Sequence, residues 1–286
     1  MSQLRLLLCT DMDRTVVPNG AEPEHVQARM RFRYFCQRPE VTLAYVTGRH
    51  RQLVEKAIRS YQLPEPDYLV TDVGTKVYQF QQQQWQEMTQ WQQEIAKDWC
   101  GKTHQQLKLA LQDIAGLKLQ EFSKQNTHKL SFYLPVYHDN QSVIAMIEQR
   151  LDALGVKASV MWSIDELTNI GLLDVLPQRA TKLHALEFLQ QHLGFATDQV
   201  VFAGDSGNDM PVLASAFQSV LVHNASNEVK QQALVLSEDN GHSGQLLLAT
   251  NPDPLGMNGN YSAGVLQGVW HFMPEFRQHL QATVQS

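Results

Sequence analysis

Residues Leu6 to Thr15 read LLLCTDMDRT, an apolar run without alternation that ends in two aspartates, Asp11 and Asp13, one residue apart. Such a run predicts a strand buried on both faces, as at the centre of a parallel sheet. Ligands of open α/β sheets gather at the carboxyl ends of strands, so the two carboxylates are expected to face a cleft. Neighbouring strand residues point to opposite faces while i and i+2 share one, so D-x-D presents its carboxyls together.

On either side of this stretch the pattern repeats. Pro18-Asn19-Gly20 reads as a turn and about Pro23 to Cys36 as a helix. Val41 to Val46 is a second strand ending in Thr47-Gly48-Arg49, with a helical pattern directly after it (Leu53, Ala57, Ile58). Tyr68 to Val70 is a third, followed by Asp72-Val73-Gly74-Thr75. Much later Lys182 opens a helical stretch, and Gln199 to Ala203 is a strand ending in Gly204-Asp205-Ser206-Gly207-Asn208-Asp209. Ser219 to Val222 is one more strand, and a last helix runs from about Ala263. Strands separated by helices imply βαβ units, hence an α/β fold with a doubly wound, Rossmann-like parallel sheet.

Between these halves the composition shifts. Gln79 to Gln93 is rich in glutamine with Trp85 and Trp91 interleaved, which predicts a packed amphipathic segment rather than a disordered one. Helices near 105–115 and 142–154 alternate with strands near 119–123, 129–134, 160 and 172, the pattern of an α+β insert. The expected organisation is a discontinuous core, 1–79 with 174–286, and a smaller domain at 80–173.

With 286 residues, 43% hydrophobic and 18% charged, the chain has ample core for two domains. A net charge of −6 offers nothing to nucleic acid or an anionic membrane, so the expected ligand is small. No apolar run is long enough to span a bilayer. The opening apolar run carries Arg5 and lacks a small-residue cleavage site, unlike a signal peptide. Cys9, Cys36 and Cys100 lack motif spacing, which points to a reducing compartment and a cytoplasmic location. Cys9 reads as a small buried hydrophobe.

Four carboxylates, Asp11, Asp13, Asp205 and Asp209, brought to one cleft by two strand ends would repel one another unless a counter-charge is present. A hard divalent cation, Mg²⁺ above all, suits carboxylate oxygens, so all four are candidate metal ligands. Thr47 and Gly48 stand at a predicted helix start, where a hydroxyl and N–H groups can hold a phosphate. Lys182 supplies a cation from another strand-to-helix junction. Together these describe a site for a phosphate ester, with Asp11 as nucleophile and Asp13 as general acid and base. Each motif alone has an ordinary explanation as a turn or a surface residue; their order, each at a strand end, is what carries weight.

DMDRT, TGR, Lys182 and GDSGND, in that order, resemble the haloacid dehalogenase (HAD) superfamily of phosphatases. The stretches LAYVTGR, PDYLVTDVGTKVY, HKLSFYL, DVLPQRATKLHALEFLQQHLG, FAGDSGNDMPVL and NYSAGVLQ are similar to the sucrose-phosphate phosphatase family, which carries a cap between the second and third motifs. The resemblance implies an HAD core with an inserted cap and a Mg²⁺-dependent phosphatase for a sugar phosphate, a disaccharide phosphate such as sucrose 6-phosphate foremost. It also places Arg49 near the phosphate and Asn208 beside the metal loop.

Where that family reads V-G-[ST]-[ED]-[IV], this chain has Val73-Gly74-Thr75-Lys76-Val77, a base in place of an acid near the expected sugar site. Two readings of Lys76 stand: a cation meeting a substrate carboxylate, as in a glycosyl-phosphoglycerate, or a solvated lysine. Lys129, Trp85, Trp91, Tyr133 and Trp162 are candidates to touch a sugar, against the commoner reading of aromatics as core. Alternatives for the whole chain are a phosphatase of another glycoside, such as mannosylfructose phosphate, a sugar phosphomutase, or a non-catalytic partner of a sugar-phosphate synthase.

Overall fold

The computed structural model describes residues 4–165 and 168–282. The chain begins β1 (Leu6–Thr10), α1 (Ala28–Cys36), β2 (Val41–Val46), α2 (Arg51–Tyr61), β3 (Tyr68–Thr71), β4 (Lys76–Gln81) and β5 (Gln84–Glu87). There follow α3 (Thr89–Ala96), α4 (His104–Leu111), β6 (Lys118–Leu119), β7 (Leu130–Pro135), α5 (Asn140–Ala153), β8 (Ala158–Asp165) and β9 (Ile170–Pro177). The last part is α6 (Lys182–Leu193), β10 (Val200–Gly204), α7 (Met210–Leu213), β11 (Gln218–Leu221), α8 (Asn227–Asp239), β12 (Leu246–Leu248), α9 (Ser262–Phe272) and α10 (Arg277–Ala282). Two compact units result, one from the residues up to Glu87 and from Lys182 on, the other Met88–Thr181.

The larger unit is built on an eight-stranded sheet in the order β12-β11-β10-β1-β2-β3-β4-β5. Strands β12 to β3 in that order are parallel, and β4 and β5 continue it antiparallel. β1 pairs with β10 from Leu7↔Val200 to Thr10↔Ala203 and with β2 from Leu6↔Val41 to Thr10↔Tyr45. From β1 the chain winds one way to β3 and later, from β10, the other way, so the strand order reverses between β1 and β10. At such a reversal a crevice opens beyond the carboxyl ends. All five residues of β1 are buried. Leu6 and Leu8 join a core with Phe32, Tyr45, Leu266 and Phe276, while Leu7 and Cys9 alternate to the opposite face. Burying each such leucine contributes about 1.5–3 kcal/mol.

Two expected boundaries move for physical reasons. The helix expected from Pro23 starts at Ala28, because the carbonyls of Glu22 and Pro23 are occupied by Tyr261, Asn258 and Asn260 from a distant loop. α2 starts at Arg51, with His50 as its extended N-cap, rather than directly after Arg49.

The seam expected at 80 and 173 lies in the structure at 87/88 and 181/182. The glutamine-rich stretch folds as the β4–β5 hairpin of the large sheet, turning through Gln82 and Gln83, both with positive φ (50° and 61°). That is the turn type whose twist matches a two-residue hairpin. Residues 1–3 and 283–286 of the expected core lie outside the described residues.

The smaller unit has an antiparallel sheet in the order β6-β7-β9-β8. Its core gathers Leu107 and Leu111 of α4, Ile147 and Leu151 of α5, and Phe132, Leu134, Leu173 and Val175 of the sheet. The α5 N-terminus is capped by the Asp139 carboxylate, which accepts from the backbone N–H groups of Gln141 and Ser142. The strand expected at 119–123 is only Lys118–Leu119, followed by a single turn at Phe122–Lys124. Among the described residues no helix is long and apolar enough to cross a membrane.

Candidate active site

The centre of the site is a buried lysine among carboxylates. Lys182, the first residue of α6, donates from Nζ to Asp11 Oδ1 and Asp209 Oδ1, both at 2.7 Å, and to Asn208 Oδ1 at 2.8 Å. Asp11 directly follows β1 and its N–H donates to the Ala203 carbonyl of β10, so the two strand ends are tied side by side. One oxygen from each of Asp11, Asp205 and Asp209 lies within 4.8 Å of the others, and all three residues are buried.

Asp209 folds back onto its own loop. Its Oδ2 accepts from the N–H groups of Asp205 (3.1 Å) and Ser206 (3.2 Å). That return explains Gly204, where a Cβ would sit 2.5 Å from the Asp209 Cγ. G-D-x-x-x-D is thus one local unit: glycine for room, the first aspartate at the mouth, the second bracing the loop and Lys182.

The electrostatics of the trio are unbalanced. Burial raises the Asp11 carboxyl to about 7, with Lys182 acting against the shift and Asp209 and Asp205 adding to it. Burial, then Asp209, raises Asp205 to about 6, opposed by Arg14 and by the Thr15 hydroxyl. For Lys182, burial works against the charge, but Asp11 and Asp209 outweigh it and its pKa is raised. One lysine does not neutralise three carboxylates. A clustered set of oxygens with surplus negative charge has the chemistry of a hard-cation site, and Asp11, Asp205 and Asp209 are the residues able to hold one.

Asp13, also expected among the metal ligands, has its carboxylate oxygens bonded to Arg49 and Asn19. Arg49 grips it from β2's end, Nε to Oδ2 at 2.7 Å and Nη2 to Oδ1 at 2.5 Å, and Asn19 Nδ2 donates to Oδ1 at 2.7 Å. Burial favours the neutral acid, yet these bonds outweigh it and hold Asp13 below the usual carboxylate range. Thr47 is buried at the end of β2, its Oγ1 accepting from the Arg49 N–H at 3.2 Å. Gly48 beside it is exposed, with open space where a side chain would stand.

The remaining expected residues make contacts of their own, each within its unit. Thr75 is buried and its hydroxyl donates to the Asp72 carbonyl at 2.8 Å, closing a turn in which Asp72, Val73 and Gly74 all have positive φ. A valine at φ 60° is a strained backbone position. Lys76 pairs with Glu87 at 2.6 Å across the β4–β5 hairpin. In the smaller unit Lys129 lies 3.4 Å from Asp174, and Tyr133 donates to Glu121 at 2.8 Å. Trp91 is fully buried and Trp162 packs against its unit's core, so both take the structural reading. Trp85 lies against Phe80 with ring centroids 4.8 Å apart.

Four residues of the site region were not singled out by sequence. Thr15 Oγ1 donates to Asp205 Oδ1 at 3.3 Å, and Arg14 Nε lies 3.5 Å from Asp205 Oδ2. Asn19, readable only as a turn residue, holds both Asp13 and the Arg14 N–H. Asn224 reaches the Arg14 carbonyl from the end of β11. Thr15 alone had a signal, as the last residue of D-x-D-x-T.

The chain has recognisable relatives among known proteins. The chain is 49% identical over 277 residues to a putative HAD-like hydrolase of Nitrosococcus oceani, covering 97% of this chain and 74% of that protein. It is 30% identical to the mannosylfructose-phosphate phosphatase of Agrobacterium fabrum over 80% of this chain and 87% of that protein. Its fold matches the crystal structure of the sucrose-phosphatase of Synechocystis, determined with sucrose and phosphate, at a TM-score of 0.69 and 26% identity, over 94% of this chain and 98% of that one. The family model for sucrose-6F-phosphate phosphohydrolase matches residues 4–273. This chain therefore belongs to the sucrose-6F-phosphate phosphohydrolase family, HAD-like enzymes that hydrolyse phosphoric monoesters.

Proposed function

We propose that this chain is a Mg²⁺-dependent phosphatase for a phosphorylated disaccharide, sucrose 6-phosphate first. The observation that carries the reading is the Lys182 ammonium held between Asp11 and Asp209, with Asp205 completing the trio. Mg²⁺ bound by Asp11, Asp205 and Asp209 would supply positive charge facing the transferring phosphoryl oxygens.

The chain's own groups do the rest. Asp11 Oδ attacks phosphorus, forming an aspartyl-phosphate as the P–O bond to the sugar breaks. Asp13, ionised under the hold of Arg49 and Asn19, must first take up a proton from solvent, which it then gives to the departing sugar oxygen. Water then attacks the aspartyl-phosphate, Asp13 takes its proton, and inorganic phosphate leaves with Asp11 restored. Lys182, oriented by Asn208, favours the ionised form of Asp11 and offsets phosphoryl charge, while Thr47 and Gly48 offer a hydroxyl and an N–H to the phosphoryl oxygens. Three unpaired cysteines suit the cytoplasm as the place of action.

The similarity to a mannosylfructose-phosphate phosphatase supports a second substrate of the same class. The test is phosphate release with Mg²⁺ or with EDTA from sucrose 6-phosphate, mannosylfructose phosphate, a glycosyl-phosphoglycerate and hexose phosphates. Mg²⁺-dependent release favouring sucrose 6-phosphate supports the first reading, and preference for mannosylfructose phosphate the second. Isomerised sugar phosphate without phosphate release overturns both.

A further inference from the structure

We propose that Asn224 is a positioning residue for the proton-transfer step, an inference that rests on Asp13 being the general acid. Asn224 lies just past β11, is 4% exposed, and makes two long-range bonds. Its Nδ2 donates to the Arg14 carbonyl at 2.7 Å, and its Oδ1 accepts from the Tyr261 N–H at 2.8 Å. Arg14 immediately follows Asp13 and has a positive φ of 59°. Its N–H is held by Asn19 Oδ1, and Asn19 Nδ2 also holds the Asp13 carboxylate. The Asp13–Arg14 segment is thus pinned by one asparagine at each end, one acting on the acid itself and one on the carbonyl that follows.

The far end of the brace is strained. Tyr261 is fully buried with φ 51° and ψ −130°, a conformation that costs a bulky residue of order 1–3 kcal/mol. It persists because its N–H is fastened to Asn224 and its hydroxyl donates to the Glu22 carbonyl at 2.9 Å. Both anchor points on the other side, Arg14 and Glu22, flank the turn that leaves Asp13. The 251–260 loop continues the same fastening through Asn258 and Asn260 onto the Pro23 carbonyl. A backbone segment held at this many points keeps the Asp13 carboxyl where a leaving oxygen must receive its proton, and an offset near 1 Å costs on the order of 100-fold.

Leaving-group chemistry separates positioning from bulk stability. A sugar oxygen needs Asp13's proton to depart, whereas p-nitrophenolate departs without one, so only the former depends on where Asp13 stands. Asn224→Ala strands the buried Tyr261 N–H and unfastens the Arg14 carbonyl, and is expected to destabilise the chain. Asn224→Asp keeps the shape and the acceptor for Tyr261 but loses the donor to Arg14, so it is the variant to read. With Mg²⁺, its kcat on sucrose 6-phosphate is expected to fall at least about tenfold and its kcat on p-nitrophenyl phosphate less than about threefold, with KM for both little changed. Equal losses on the two substrates, or no loss on either, overturn the proposal. A parent enzyme that releases no phosphate from either substrate fails the phosphatase reading instead.

Discussion

Arg49 holds both carboxylate oxygens of Asp13 in a fork across the ends of β2 and β1, through Nε at 2.7 Å and Nη2 at 2.5 Å. A lysine carries the same charge as a single point and cannot span two oxygens. Arg49→Lys is therefore expected to lose about 10- to 100-fold in kcat on a sugar phosphate, with a smaller change in KM. Steady-state kinetics check this. A kcat within twofold of the parent would show that the fork does not orient the acid.

Lys182 is the single ammonium touching Asp11 and Asp209 among the described residues, and all three are buried. Taking one partner out of a buried charge cluster typically costs about 3–5 kcal/mol. Lys182→Ala should then melt about 10 °C below the parent in EDTA, since about 1 kcal/mol moves a large domain by a few degrees. If the trio is a cation site, Mg²⁺ should raise the variant's melting temperature more than the parent's. Melting curves with and without Mg²⁺ decide it; equal shifts in the two proteins would count against cation binding there.

Lys76 spends its charge on Glu87 at 2.6 Å, with the two side chains 13% and 34% exposed. A pair of this kind contributes at most about 1 kcal/mol. Lys76→Ala should thus change stability little and leave kcat/KM on sucrose 6-phosphate within about threefold. Comparison with a glycosyl-phosphoglycerate is the check, because a tenfold rise in KM confined to the carboxylate-bearing substrate would return Lys76 to the binding site.

Alkaline pH should unfold the larger unit through its tyrosines. Tyr45 is fully buried with its hydroxyl donating to the Pro64 carbonyl at 3.0 Å, and burial pushes its ionisation well up. Burial, with Glu87 and Asp72, raises Tyr78 to about 12. An unfolded tyrosine ionises near pH ~10, so the folded state binds more protons above that value. The stabilisation is complete below about pH 10 and is lost as pH rises toward 12. Tyrosinate absorbance should rise together with the loss of near-ultraviolet circular dichroism; a full rise while the fold persists would contradict it.

The site was legible where chemistry and strand ends coincide. Asp11, Asp205, Asp209 and Lys182 could be singled out because they follow one another in order, each at a strand end or a strand-to-helix junction, though each alone reads as a turn or surface residue. Asn19 and Asn224 were not legible, since an asparagine in a turn looks the same whether it caps its own loop or fastens one far away in sequence. The pairing of Asp13 with Arg49 was not legible either, because it depends on a side-chain fork that spacing does not encode. In the fold, β1, β2 and β10 could be read from continuous apolar runs. The β4–β5 hairpin could not, because Gln82 and Gln83 turn it without the glycine or asparagine such a turn usually carries. Nor could β12, three half-buried leucines long.

β1 acquires its two neighbours at very different moments of synthesis. β2 emerges soon after it, but β10 is not made until residues 200–204, after the whole of the smaller unit. Until then a largely apolar strand has one bare edge on the nascent chain, the kind of edge that recruits other chains. The strand that delivers Asp11 is thus also the strand with the longest wait for its second neighbour. Ribosome-bound lengths ending before Gly204 are where chaperone dependence of this chain should concentrate.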